Sequence, residues 1–312
     1  MRRVLLLVSL GFPIACKSSE PAPTPVADSE LAAKPAPQSK PRLAPPAGGV
    51  TTKLANETKD CQRTLCIAGP GGPASESNVD LGDLCRQAPG VLRRCEGEVC
   101  KSTWPVDDWQ AGLDGLIASL DLDANGKVDE GDPRCSINVV GWSTGAAIAA
   151  GPLVAGLAAD AAMTPARAEI ERMVLVAPWQ AGGAATLAIP SGVRNAWIYR
   201  NTRAPADDCS TGWESGPWIS PPPTCGPATQ CWDYDYSLEP ALAFVSRRGA
   251  RSGAAIGHCN IMAVVAKIAL DNLAHGREAK AEHTPRRSDG SPGGRPHDPP
   301  HDPPHDPPAS KG

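Results

Sequence analysis

Along the middle of this chain the apolar residues come in short unbroken runs, separated by stretches with helical periodicity. Arg63 to Ala68 (R-T-L-C-I-A), Ile137 to Val140 (I-N-V-V), Arg172 to Ala177 (R-M-V-L-V-A) and Asn195 to Tyr199 (N-A-W-I-Y) read as strands buried on both faces. Val106 to Leu120 is the strongest predicted helix, with Trp109, Leu113, Leu116, Ile117 and Leu120 recurring at helical spacing. Asp83 to Arg94 reads as a helix interrupted at Pro89-Gly90, and Ala146 to Ala159 and about Asn260 to Ala274 as two more. Glu98 to Trp104 and Ala254 to Ile256 read as short strands. Helices alternating with wholly apolar strands predict an α/β fold, a mostly parallel sheet flanked by helices on both faces.

The ends carry a different pattern. Arg2-Arg3, the apolar run Val4 to Leu10 and Ile14-Ala15 make residues 1–15 a secretory signal, too short to span a membrane. Cys16 directly after Ile-Ala resembles the lipobox of bacterial lipoproteins, with Pro13 where that pattern has Leu. The resemblance implies a lipidated Cys16 and attachment to the cell envelope. Residues 16–50 are rich in Pro, Ala, Ser and Lys and bury too little apolar surface to fold, so they read as a tether. Residues 284–312 end in three His-Asp-Pro-Pro copies beginning at His297, His301 and His305, whose prolines prevent a compact metal cage; this is a disordered tail. Residues 51–283 remain as one domain of ordinary size.

A formal charge of −4 with no basic stripe gives no reason to expect nucleic acid. Eleven cysteines, less Cys16, leave ten, an even number suited to disulfides in an exported domain. They are scattered rather than paired as CxxC, which argues against zinc. Eight aromatic residues are Trp, against three Tyr and two Phe.

The segment Gly141-Trp142-Ser143-Thr144-Gly145 lies between the strand Ile137 to Val140 and the helix from Ala146. Strand, tight turn and helix form the context in which G-x-S-x-G lifts a nucleophilic serine above a sheet edge. Of six histidines, three are in the tail and His275 and His283 lie at the end of the last helix, so His258 in Gly257-His258-Cys259 is the partner for Ser143. An acid should follow the strand Asn195 to Tyr199; Asp207 and Asp208 stand there together, Asp208 nearer to Cys209, with Asp233 and Asp235 in reserve. Oxyanion donors would be the N–H of Thr144 and those of the loop Gly69 to Gly72, notably Gly71 and Gly72. Trp142 and Trp179 fall near where an acyl group would bind, and Trp213 and Trp218, in a Trp- and Pro-rich excursion from Cys209 to Cys231, with Trp232 directly after it, would roof a groove.

These features resemble the α/β-hydrolase superfamily, closest in layout to its minimal, disulfide-stabilised, cutinase-like esterases. About twelve residues precede the first strand, so the fold expected is the reduced form. The resemblance implies hydrolysis of carboxylic esters by Ser143, with His258 as base then acid and Asp208 or Asp207 orienting it. An acyltransferase using the same residues, or a non-catalytic envelope protein that binds a ligand or polymer on this fold, are the alternatives.

One motif stands apart. Asp121-Leu122-Asp123-Ala124-Asn125-Gly126-Lys127-Val128-Asp129-Glu130-Gly131-Asp132 matches an EF-hand calcium loop. Asp121, Asp123, Asn125, the Lys127 carbonyl, Asp129 and Asp132 are the expected ligands, with Asp132 in place of the usual Glu. Pro133 prevents an exit helix, so half an EF-hand is expected, holding structural calcium beside the strand that leads to Ser143.

Overall fold

The protein was analysed as a computed structural model that describes residues 50–70, 76–180, 185–202, 218–236, 244–246, 249–251 and 256–276. In chain order the elements are β1 (Val50–Leu54), β2 (Gln62–Ile67), α1 (Glu76–Gln87), β3 (Leu92–Glu96), β4 (Val99–Lys101), α2 (Trp109–Leu120), β5 (Ser136–Trp142), α3 (Thr144–Ile148), a π-helical turn (Ala149–Leu153), α4 (Val154–Ala159), β6 (Ile170–Val176), β7 (Leu187–Ile189), β8 (Val193–Arg200), β9 (Pro223–Cys225), β10 (Gln230–Asp235), β11 (Phe244–Ser246), β12 (Gly249–Arg251) and α5 (Ile261–His275).

The central sheet has five strands in the order β10-β8-β6-β5-β2, every neighbouring pair parallel. Its strands are apolar on both faces because helices cover both. Leu65, Ile67, Val139, Met173, Leu175 and Ile198 pack with Leu113, Leu116 and Ile117 of α2 and with Leu153 and Leu157. Their neighbours in sequence, Cys66, Val140, Val174, Val176, Trp197 and Tyr199, face the other way onto Leu81 and Leu84 of α1 and Ile261, Val265 and Ala269 of α5. The outer edge of β2 is met by Val91 and Trp104 through isolated parallel bridges to Thr64 and Ile67.

Several elements depart from the sequence expectation. The predicted helix Asp83 to Arg94 divides: α1 ends at Gln87, and Leu92 opens β3, the centre of an antiparallel ribbon β1-β3-β4. Gly90 makes this turn at φ 58°, and a Cβ there would lie 1.7 Å from the Gln62 carbonyl oxygen, so no other residue fits without moving β2. The fifth sheet strand is β10, from a segment not read as a strand; the expected strand Ala254 to Ile256 falls largely outside the described residues. The helix after Ser143 contains Pro152 within a π turn, which accommodates the missing N–H donor.

Disulfides tie the layers. Cys61–Cys135 joins the residues just ahead of β2 and β5, Cys66–Cys85 joins β2 to α1, Cys95–Cys100 crosses the β3–β4 ribbon, and Cys225–Cys231 joins β9 to β10. Cys259 is disulfide-bonded as well. Among the described residues no helix is long and apolar enough to cross a membrane. Cys16, the signal and tether up to residue 49 and the tail 284–312 lie outside the described residues.

Candidate active site

Strand β5 runs through the sheet and ends at Trp142, and the chain then reverses into α3 at Ser143. Ser143 takes φ 58° and ψ −128°, an unfavourable conformation for a residue with a Cβ. The turn is held by the Ser143 N–H donating to the Val176 carbonyl and by the Ser143 carbonyl accepting from Ala146 and Trp179. Both flanking glycines are steric requirements. A Cβ on Gly141 would meet the Ala146 Cα at 2.5 Å, and one on Gly145 would lie 2.5 Å and 2.6 Å from the Ile67 and Ala68 carbonyl oxygens. Those obstacles are backbone, which side-chain rotation cannot clear. Gly145→Ala should therefore cost about 1–3 kcal/mol of stability and displace the end of β2, measurable by denaturant unfolding. An unchanged midpoint would contradict this packing.

His258 reaches Ser143 from the turn that leads into α5, two residues ahead of Asn260, its N-cap. Its Nε2 lies 2.8 Å from Ser143 Oγ. The serine is 0% exposed and the histidine 2%. Burial disfavours the imidazolium and lowers the histidine's pKa from 6.5 to about 3, so the ring is a neutral proton acceptor at neutral pH. Accepting the serine proton at Nε2 places the ring's own proton on Nδ1, which is buried and meets no hydrogen-bond acceptor among the described residues.

Aromatic rings fix the imidazole. Trp142 lies 5.5 Å from it, centroid to centroid, and donates its indole N–H to the His258 carbonyl; Trp218 lies 5.2 Å from it and 4.4 Å from Trp179. Of the other tryptophans expected to roof a groove, Trp232 does not roof the site: it stacks on Trp197 across β10 and β8 at 4.7 Å. Trp213 lies outside the described residues.

The remaining candidates are placed as follows. Thr144 opens α3, so its N–H belongs to the first turn, which has no intrahelical acceptors. Gly71, Gly72, Asp207 and Asp208 lie outside the described residues. The reserve acids are engaged elsewhere: Asp233 forms a two-point ion pair with the Arg200 guanidinium at 2.5 and 2.8 Å, and Asp235 accepts from the Thr202 hydroxyl. Of the expected oxyanion loop, Gly69 touches the site directly, since a Cβ there would come within 2.8 Å of Ser143 Cβ and 2.4 Å of the Trp142 ring. One contributor was missed in the sequence. Asn78 fixes Gly69 by accepting from its N–H and donating to its carbonyl, both at 3.1 Å. Nothing local in the sequence advertised Asn78.

The acidic loop closes on itself through its own carboxylates. Carboxylate oxygens of Asp121, Asp123 and Asp132 lie within 4.8 Å of one another. Asp121 accepts from the N–H groups of Asn125 and Gly126, and Gly126 turns at φ 84°. Asn125 Oδ1 accepts from the Lys127 N–H, and Asp129 stands outside the carboxylate cluster, accepting from Gly131. Val128 is buried and bridges Met163 after α4. Burial alone would raise the Asp132 carboxyl's pKa, but N–H donors from Asp129, Leu122 and Asp123, with the Arg167 guanidinium, bring it below the usual carboxylate value.

No protein-family model matches the chain, and a comparison with curated proteins likewise finds no match.

Proposed function

We propose that this protein is an exported serine hydrolase of reduced α/β-hydrolase type that cleaves carboxylic esters. The observation that carries the reading is the 2.8 Å contact between Ser143 Oγ and a buried, neutral His258 Nε2, with the serine held at positive φ on the turn between strand β5 and helix α3. Ser143 Oγ attacks the ester carbonyl carbon while its proton passes to His258 Nε2. The resulting oxyanion accepts from the Thr144 N–H and from the N–H of Gly71 or Gly72. Collapse breaks the bond to the alkoxy oxygen, which leaves as the alcohol with the proton from His258. Water then attacks the acyl-enzyme by the same route in reverse, releasing the acid and restoring Ser143. Asp208 or Asp207 holds the Nδ1 proton. Export and lipid attachment rest on residues 1–16 and on disulfides that persist outside the reducing cytoplasm.

Burial of the dyad favours a second reading, acyl transfer to an acceptor other than water, because a site closed to solvent suppresses hydrolysis of the acyl-enzyme. A panel of p-nitrophenyl esters of increasing chain length, with and without a competing alcohol, separates the two. Hydrolysis that Ser143→Ala abolishes supports the first reading. A trapped alcohol ester as main product supports the second.

The acidic loop is proposed to hold structural calcium. The clustered carboxylates of Asp121, Asp123 and Asp132 fit a hard cation, with Asn125, the Lys127 carbonyl and Asp129 completing the expected set. The ion would supply positive charge to mutually repelling carboxylates and anchor the chain entering β5. With a Kd of about 10⁻⁴–10⁻³ M, calcium at about 10 mM should stabilise the protein by roughly 1.4–2.7 kcal/mol. Thermal melting in calcium against chelator should display this shift in the parent and not in Asp121→Ala or Asp123→Ala. Equal melting of all three in both conditions would remove calcium from the account.

A further inference from the structure

The chain leaves β8 at Arg200, and residues 203–217 separate Thr202 from Trp218. On either side of that interval, Asn201 and Ser220 form a buried bracket, 0% and 2% exposed. The Ser220 N–H donates to the Asn201 carbonyl at 2.8 Å, the Ser220 hydroxyl donates to Asn201 Oδ1 at 3.1 Å, and the Asn201 N–H donates to Ser220 Oγ at 3.3 Å. The Asn201 amide then donates from Nδ2 to the Trp218 carbonyl. Trp218 is thus held at its backbone by a fully buried group, while its indole lies against the ring of His258 and against Trp179.

This geometry bears on the base. An imidazole that takes the serine proton must keep its plane and distance, and small misplacements of a reacting group are costly in rate. Beside the carboxylate proposed at Nδ1, the Trp142 and Trp218 rings lie against the imidazole, and the Trp218 backbone is held by the Asn201–Ser220 bracket.

We propose that Asn201, with Ser220, is a positioning residue: it fixes Trp218 as the outer wall that keeps the His258 ring on Ser143. The inference rests on the hydrolase reading. It differs from simple scaffolding in what it affects, namely the reactivity of Ser143 rather than the affinity of the site.

The test uses the oxidised full-length chain and a fluorophosphonate probe, whose saturable labelling of serine gives a maximal rate and a half-saturating concentration. Asn201→Ala should lower the maximal rate by roughly tenfold to a hundredfold and leave the half-saturating concentration within about twofold. Trp218→Ala should do the same, while Trp218→Phe, which restores a ring face, should recover most of the parent rate. Near-ultraviolet circular dichroism checks that each variant is folded. A folded Asn201→Ala that labels at the parent rate, or loses only affinity, overturns the proposal. Should Asn201→Ala not fold, Trp218→Ala at the parent rate overturns it equally. A parent that shows no labelling dependent on Ser143 instead removes the hydrolase reading on which the inference stands, so the two failures are distinguishable.

Discussion

His258→Ala should lower kcat for ester hydrolysis by at least about 10⁴-fold, close to the loss in Ser143→Ala, and the double variant should be scarcely worse than either. The non-additivity follows from the geometry. Ser143 is an alcohol with no other described group in a position to take its proton, and its contact with His258 Nε2 at 2.8 Å is the only activating interaction made by Oγ among the described residues. Once either partner is lost, the other has nothing to act on, and what remains is the contribution of binding and the oxyanion donors. The affected parameter is also specified. Neither residue is asked to supply ground-state affinity, so kcat and kcat/KM should fall together. Additive losses in the double variant would mean that the two residues do not work as a unit.

Between neutral pH and pH 3.5 the parent protein should lose stability relative to a His258→Gln variant, by on the order of 4 kcal/mol if burial alone sets the ring's pKa and by less if Asp207 or Asp208 meets Nδ1 as proposed. The direction is fixed by which state binds the proton. In the unfolded chain the imidazole takes up a proton as the pH falls through about 6.5. In the folded protein burial keeps it neutral down to about pH 3. Over that window the unfolded state binds more protons, so stability falls with falling pH. Glutamine titrates nowhere, so denaturant midpoints of the two proteins at a series of pH values isolate the histidine from the carboxylates. The size of the difference carries information too. An ionised carboxylate of Asp207 or Asp208 against Nδ1 would favour the imidazolium, raise its folded pKa and shrink the difference. A full-sized effect that is unchanged in Asp207→Asn and Asp208→Asn would argue that neither residue reaches the ring.

The sequence made the centre of this fold legible and its margins much less so. Strands β2, β5, β6 and β8 are buried on both faces, so their apolar runs stood out against the polar loops and placed a parallel sheet between helices. Ser143 was legible for the same reason: Gly141 and Gly145 are forced by backbone contacts and leave a sequence signature. Strand β10, Q-C-W-D-Y-D, was missed because it closes the sheet at an edge, where polar positions are tolerated and Asp233 pairs with Arg200 on the neighbouring strand. The region after α1 was misread for a different reason. Leu81, Leu84, Ala88 and Val91 recur at helical spacing, and only Pro89-Gly90 marks the point where Leu92 begins to serve the antiparallel ribbon. Ribbon β1-β3-β4 depends on pairings distant in sequence, and β1 buries only alternate residues in part.

The site divides along the same line. The glycine-flanked turn at Ser143 and the histidine beside a turn at His258 are local features, and both could be found by inspection. The groups that hold them are not local. Asn78 bonds to Gly69 and Asn201 to Ser220 because the topology brings them together, and an asparagine on its own carries no hint of such a role. The acidic loop lies at the opposite extreme, since its spacing alone suggested the ligand set proposed for it, yet Asp129 turns its carboxylate to the Gly131 N–H rather than into the cluster formed by Asp121, Asp123 and Asp132. Position nine of such loops commonly acts through a water molecule, which is consistent with that placement.

The central claim is that Ser143 is an activated nucleophile. It is tested most directly by exposing the oxidised, calcium-supplemented full-length protein to a fluorophosphonate and mapping the adduct by peptide mass spectrometry, with Ser143→Ala and His258→Ala alongside. The account predicts a single adduct on the peptide containing Ser143, absent from the first variant and slowed by at least about 10³-fold in the second. A folded parent that forms no adduct, or one that labels equally well without His258, would contradict it and turn attention to ligand binding on a catalytically silent fold.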